Sequence, residues 1–265
     1  MRAVAFDLDG TLLNAAHELS AENRDTIAQL KARGVTVFLA SGRTHLSMRP
    51  YHQQLELDTP MICYNGAKIV YPDGEVRERG ISPEVVSALI HRSRAERLHL
   101  NLYSHGLWYT EAPDSAEAIL YAQTAGLTPH SDGFDELAER GATKALFIAD
   151  PARLSALRPS LEAELGERVS VTSSMPTFLE ILQRGVNKAD ALREVLARYP
   201  FELDDVVAFG DGLNDQELIT EVGHGVAMEN AHPELIRVAD AVAPRHHPDG
   251  VTRYLTSYAP HLFDS

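Results

Sequence analysis

The sequence predicts a doubly wound, parallel α/β (Rossmann-like) core interrupted by an inserted α+β cap domain. Three observations carry this. Short runs that are apolar throughout, or apolar but for one threonine, occur at Ala3–Phe6 and at VTVFLA (35–40), and a third opens VVAFGD (206–211). Such runs suit strands buried on both faces. A helical pattern joins the first two, and strand, helix, strand implies a parallel pair with a right-handed crossover. The middle of the chain has a different texture, with apolar and polar residues alternating, and after Gly185 the first texture returns. The predicted core is therefore residues 1–82 with 186–265, and the predicted insert is 83–185.

After Ala3–Phe6 a polar stretch leads to Ser20, a good N-cap, and to a helical pattern with Ala21, Ile27, Ala28 and Leu30. Gly34 stands where a glycine ends a helix. Thr44 caps a second helix, and MICY (61–64) reads as a third strand. Pro72-Asp73-Gly74 makes a turn between two strands, because proline sets φ and glycine permits a positive one. Ser82-Pro83-Glu84 opens the next helix with a cap, a first-turn proline and an acid. The segment 98–110 alternates on either side of His105-Gly106, which predicts a hairpin with one polar face. A helix follows from Asp114 to Ala125, ended by Gly126. Residues 143–150 form a strand, Pro151–Leu165 a helix containing Pro159, and 167–173 and 177–183 two further alternating strands. In the returning core, Asn187 caps a helix through Arg198, and VVAFGD is a buried strand. A helix over 213–220, the strand 225–228 and a helix over 232–238 complete the pattern.

The chain has 265 residues, enough for one large or two smaller domains at ~100–200 residues each. Its net charge of −14 would repel phosphate backbones and anionic lipid, which argues against a nucleic-acid or membrane partner. A small phosphate is not excluded, since one divalent cation and a few donors can reverse the field inside a pocket. Cys63 is the only cysteine, so an intrachain disulfide or a cysteine zinc site is ruled out. Aspartates interrupt the N-terminal segment before a signal-peptide core can form, and no apolar run reaches the ~18 residues of a membrane span. The expected location is the cytoplasm.

Four segments carry candidate chemistry. Asp7 and Asp9, two apart in extended chain at the end of the first strand, can share one pocket where open α/β sheets bind ligands. Two carboxylates that close call for a cation or a proton between them. Gly210-Asp211-Gly212-Leu213-Asn214-Asp215 follows another buried strand. Its acids could ligate the same cation, or its helix start could receive an anion. Ser41-Gly42-Arg43 follows the second strand and offers a hydroxyl and N–H groups to a phosphate oxygen, or is simply a turn. Lys188 begins a helix, where a cation opposes the helix dipole. That placement suits a lysine reaching an anion, or a solvated one. The twelve histidines read as surface or loop residues.

Taken together, DLDGTL, SGR, NKADAL and GDGLND, in that order, resemble the motifs of the haloacid dehalogenase superfamily. YNGA (64–67), the stretch Leu179-Glu180-Ile181 and VAMENA (226–231) extend the resemblance to the Cof-type phosphatases, which carry a large type IIB cap between the second and third motifs. It implies a phosphatase of small phosphorylated metabolites such as sugar phosphates or pyridoxal phosphate. By position, Asp7 would be the nucleophile and Asp9 the general acid/base. Mg²⁺ would be held by the Asp7 side chain, the Asp9 carbonyl and Asp211, with Asp215 supporting the metal shell. Ser41, Gly42, Lys188 and Asn214 would hold the phosphoryl oxygens. One departure is RHHPDG (245–250), where relatives commonly carry Asn near the start; this puts metal support from that loop in question. A phosphomutase, or a phosphoacceptor signalling module, would use similar residues. The protein is expected to be a monomer or a weak homodimer.

Overall fold

The computed structural model describes residues 1–244 and 249–263, so the His246-His247 segment lies outside the described residues. The chain divides into two compact units, Met1–Val76 with Asn187–Ser265, and Arg77–Val186. It starts with β1 (Ala3–Phe6), α1 (Ala21–Ala32), β2 (Thr36–Ala40), α2 (His45–Gln54), β3 (Met61–Cys63), β4 (Lys68–Val70) and β5 (Val76–Glu78). The inserted unit adds α3 (Pro83–Glu96), β6 (His99–Ser104), β7 (Leu107–Tyr109), α4 (Ala116–Ala125), β8 (Pro129–His130), α5 (Phe134–Arg140), β9 (Lys144–Ile148), α6 (Pro151–Leu165), β10 (Val169–Thr172) and β11 (Phe178–Gln183). The chain then returns through α7 (Lys188–Leu196), β12 (Val206–Gly210), α8 (Gln216–Glu221), β13 (His224–Met228), α9 (Pro233–Val238), β14 (Ala241–Ala243) and α10 (Gly250–Tyr258).

The first unit is a doubly wound α/β sheet of order β14-β13-β12-β1-β2-β3-β4. From β14 to β3 its pairs are parallel; β4 turns back antiparallel on β3. All four residues of β1 are fully buried, as expected for a central strand covered on both faces. Ala3 and Ala5 face one way, into a core with Phe38, Ala208, Leu192 and Val195 of α7 and Leu218 of α8. Phe6 faces the other way and stacks on Phe209, whose ring meets Tyr254 of α10 edge-on. Side-chain caps start the helices that matter for the site. Ser20, Thr44 and Asn187 accept from the N–H three residues on, each worth ~1 kcal/mol.

The inserted unit has a six-stranded sheet of order β10-β11-β9-β6-β7-β8, antiparallel except for β7 with β8. One face, with Leu100, Leu102, Ala145, Phe147, Leu179 and Ile181, packs on α3, α5 and α6. The opposite face corrects an expectation. Asn101, Tyr103, Trp108, Lys144 and Glu180 lie there and are buried, so the alternating strands have no solvated polar face. Two of these polar residues, Lys144 and Glu180, offset each other's burial. Lys144 Nζ donates to Glu180 Oε2 at 3.0 Å, Ser174 donates to the other Glu180 oxygen, and Lys144 lies over the Tyr103 ring.

Other boundaries moved for local reasons. The third strand stops at Cys63 because Tyr64 and Asn65 take positive φ of 52° and 56°. The helix expected from Asp114 starts at Ala116, because Ser115 is the residue that caps it. The helix expected from Leu213 begins as a tight 3₁₀ turn, and α8 proper starts at Gln216. β8, α5, β14 and α10 were not anticipated; all but α10 are seven residues or shorter, too short for periodicity to show. Ile81 and Ala142 exchange backbone hydrogen bonds inside the inserted unit. Among the described residues, no helix is long and apolar enough to cross a membrane.

Candidate active site

Strand order runs outward from β1 in both directions, and the carboxyl ends of β1, β2 and β12 converge there, the usual ligand position in an open α/β sheet. Asp7 follows β1, and its N–H still pairs with the Phe209 carbonyl of β12 at 3.0 Å. Asp211 follows β12 in turn. Lys188, the first residue of α7, is fully buried and donates at 2.6 Å to both Asp7 Oδ1 and Asp215 Oδ1. The remaining Asp215 oxygen accepts the N–H groups of Asp211 and Gly212 at 3.0 Å, which ties down the loop after β12. Carboxylate oxygens of Asp7, Asp211 and Asp215 all lie within 4.8 Å of one another. Two of these carboxylates share one ammonium, and the third stands beside them.

That imbalance shows in the acid strengths. Burial raises the Asp7 carboxyl, Lys188 pulls it back, and Asp215 and Asp9 push it up again, to about 7. Asp211 is raised for the same reasons, burial first and then Asp7 and Asp215. Burial opposes the charge on Lys188, but Asp215 and Asp7 outweigh it and hold the ammonium charged. A divalent cation would relieve the surplus, and the oxygen-only donor set suits Mg²⁺. The backbone leaves room for the acids. A Cβ on Gly10 would lie 2.1 Å from Asp211 Oδ2, and Gly10 also needs its φ of +79° for the turn after Asp9.

The Asp9 carboxylate is engaged elsewhere. Arg43 Nε donates to Oδ2 at 2.6 Å and Nη2 to Oδ1 at 2.7 Å, a bidentate fork, while His17 Nδ1 lies 2.9 Å from Oδ1. Burial would raise this group, but the hydrogen bonds from Arg43 and His17 outweigh it and hold it well below the usual carboxylate range. Reading His17 as one of many surface or loop residues missed this contact.

The other expected residues are placed as follows. Ser41 is buried, and its Oγ accepts the N–H of Arg43 at 3.2 Å; Gly42 lies between them. Asn214 donates to Asn65 Oδ1 at 2.9 Å. Asn65 sits in the YNG turn, whose N–H groups at Tyr64 and Asn65 donate to the carbonyls of Arg43 and Ser41. That turn therefore braces the loop after β2 and links it to the loop after β12. It packs closely: a Cβ on Gly66 would meet the Asn187 carbonyl at 2.3 Å. Asn230, in the VAMENA stretch, donates to the Gly10 carbonyl at 2.9 Å and to Asp211 Oδ2 at 3.3 Å. Thr11 donates to Asp211 Oδ1 at 3.4 Å. Arg43, Asn65 and Asn230 were visible in the sequence only as members of short motifs.

A family model described as haloacid dehalogenase-like hydrolase matches residues 4–255. The HMP-PP phosphatase of Cronobacter sakazakii is 32% identical over 263 residues, covering 98% of this chain and 96% of that protein. The crystal structure of a haloacid dehalogenase-like hydrolase from Bacteroides thetaiotaomicron superposes with a TM-score of 0.85 at 28% identity, covering 97% of this chain and 99% of the other. A subclass IIB sugar phosphatase of the same superfamily shares the fold, with a TM-score of 0.84 at 20% identity over 97% of this chain and 99% of its own.

Proposed function

The chain belongs to the haloacid dehalogenase-like hydrolases and is a phosphatase; from that premise we propose that it is a Mg²⁺-dependent hydrolase of phosphate monoesters of small metabolites, acting through a phosphoaspartate on Asp7. One observation carries this reading. Asp7, Asp211 and Asp215 are gathered around a single buried Lys188 at the carboxyl ends of the central strands. A carboxylate can attack a phosphate dianion only where both charges are offset.

In the first half of the reaction, an Asp7 oxygen attacks phosphorus. The Asp7–phosphorus bond forms as the bond to the leaving alkoxide breaks, and Asp9 supplies the proton that the alkoxide takes. In the second half, water attacks phosphorus, its proton passes to Asp9, and the bond to Asp7 breaks. Lys188, the Ser41 hydroxyl, the Gly42 N–H and the Asn214 amide hold the phosphoryl oxygens through both halves. Mg²⁺, held by the Asp7 and Asp211 side chains and the Asp9 carbonyl, with Asp215 in support, would act as a Lewis acid that offsets the negative charge.

Substrate choice is assigned to the inserted unit. HMP-PP, sugar phosphates and pyridoxal phosphate are the candidates to try first, guided by the relative's name, the structural neighbour and the sequence resemblance. The test is release of inorganic phosphate from a panel of these compounds with Mg²⁺. Turnover of at least one, abolished in Asp7→Asn, supports the reading. Isomerised ester without free phosphate would sink it.

A further inference from the structure

Asp9 is asked to exchange a proton with the leaving group and with water, so its carboxylate has to be aimed. Its side chain is about a third exposed and would swing freely if nothing held it. Instead two groups from separate stretches of chain converge on it, and a third secures them. Arg43, from the loop after β2, grips both oxygens. His17, from the loop before α1, lies on Oδ1 and within 3.1 Å of Arg43 Nη2. Tyr51 of α2 completes the arrangement by lying against the Arg43 guanidinium and donating its hydroxyl to the His17 carbonyl at 2.8 Å. The His17 backbone is left-handed, with φ of 57°, an unfavourable conformation for histidine. The Tyr51 hydrogen bond helps to hold it there.

A planar guanidinium that binds both oxygens fixes the plane of a carboxylate as well as its position, which an ammonium cannot do. The grip also distinguishes the two halves of the reaction. A carboxylate held on both oxygens is ready to accept a proton from water, through lone pairs that the fork leaves open. The leaving-group half starts instead from a protonated oxygen, which is a poorer acceptor for the Arg43 fork than an ionised one. The phosphoaspartate-hydrolysing half is therefore the half that the clamp serves.

We propose that Arg43 and His17 are positioning residues that hold the Asp9 carboxylate as the base for hydrolysis of the phosphoaspartate, with Tyr51 securing both. This rests on the reading of Asp7 as nucleophile and Asp9 as acid/base. In the step concerned, the water oxygen bonds to phosphorus, the bond between phosphorus and the Asp7 oxygen breaks, and the water proton goes to Asp9.

The test uses the full-length protein with Mg²⁺ and nitrophenyl phosphate, whose leaving group needs no proton. Misaiming a catalytic group costs on the order of 10²-fold. Arg43→Ala should therefore lower kcat by about that factor, with KM falling in step and kcat/KM little changed, because the intermediate accumulates before its hydrolysis. An initial burst of nitrophenolate should remain, and intact-protein mass spectrometry should show one added phosphoryl group. Arg43→Lys, which keeps the charge and loses the fork, should show the same accumulation more weakly. His17→Asn, which tolerates the left-handed backbone, should do likewise. In an Asp9→Asn background, Arg43→Ala should cost almost nothing further, because the group it aims is gone. Additive losses in that double variant, or a loss confined to KM, would overturn the proposal and make Arg43 a substrate-binding residue. Accumulation in Asp9→Asn but not in Arg43→Ala or Arg43→Lys would overturn it too. No adduct in any of these variants, with turnover surviving in Asp7→Asn, would instead remove the mechanism on which it rests.

Discussion

Each of the two sheets buries a lysine against carboxylates, and the two sites differ in their charge balance. In the inserted unit, Lys144 meets Glu180, with the Ser174 hydroxyl on the second glutamate oxygen. In the core, Lys188 meets Asp7 and Asp215, and Asp211 stands within reach as well. A balanced buried pair is a structural solution, costly to break and cheap to replace by apolar groups. A buried surplus of negative charge is unstable by itself and calls for a cation. Burial of ions does not separate the two regions; the uncompensated charge does.

The sharpest way to break the comparison is at the surplus itself. Asp7→Asn should reduce phosphate release by at least about 10⁴-fold and yield no phosphoryl adduct, as expected for loss of a nucleophile. Asp9→Asn should cost ~10²–10⁴-fold and accumulate the adduct when the ester is a nitrophenyl one. Phosphate assay and intact mass read both, and the reverse pattern would exchange the two roles.

Removing the cation comes next. Exhaustive chelation should leave little hydrolysis, because the acids around Lys188 then face the substrate dianion with too little positive charge. Mg²⁺ should restore it and Ca²⁺ poorly, since calcium favours more ligands and would bind both Asp7 oxygens. Full activity in chelator would end the metal assignment.

The balanced pair gives a smaller, structural effect. Lys144→Met leaves Glu180 buried without its cation and should destabilise the protein by about 3–5 kcal/mol. Lys144→Met with Glu180→Leu should recover most of that loss in denaturant melts. If the double variant is no better than the single, the pair is not the self-contained unit described above.

The smallest effect is a pH dependence. Asp7 and Asp211 bind a proton more tightly in the folded chain than in the unfolded one, where an aspartate titrates near ~3.9. The stability this contributes is complete below that value and is lost as pH rises through about 7 for Asp7. In chelator, the melting temperature should therefore fall as pH rises from about 5 to about 8, and Mg²⁺ should raise it more at the upper end. A metal shift of equal size at both ends would contradict the charge surplus.

Much of this was readable along the chain because it depends on near neighbours. All-apolar runs mark Ala3–Phe6 and Val206–Gly210 as central strands, and the caps at Ser20, Thr44 and Asn187 need only the next three residues. Acids directly after two such strands drew attention to Asp7 and Asp211 by the same local logic. Alternation in the insert misled, because a polar residue on a strand signals solvent only when nothing else satisfies it. Register alone sets Lys144 beside Tyr103 and Glu180 beside Leu146, and so brings the buried pair together.

The sequence by itself determined which residue types stand at the strand ends and helix starts, since φ/ψ preference, capping and hydrophobic period act over a few residues. The tertiary structure alone decided which charges meet. Lys188 reaches Asp7 across 181 positions and Asp215 across 27, and Arg43 reaches Asp9 across 34, because β1 lies between β2 and β12. Coulomb energy depends on distance through space, and strand order, which no local pattern encodes, sets that distance.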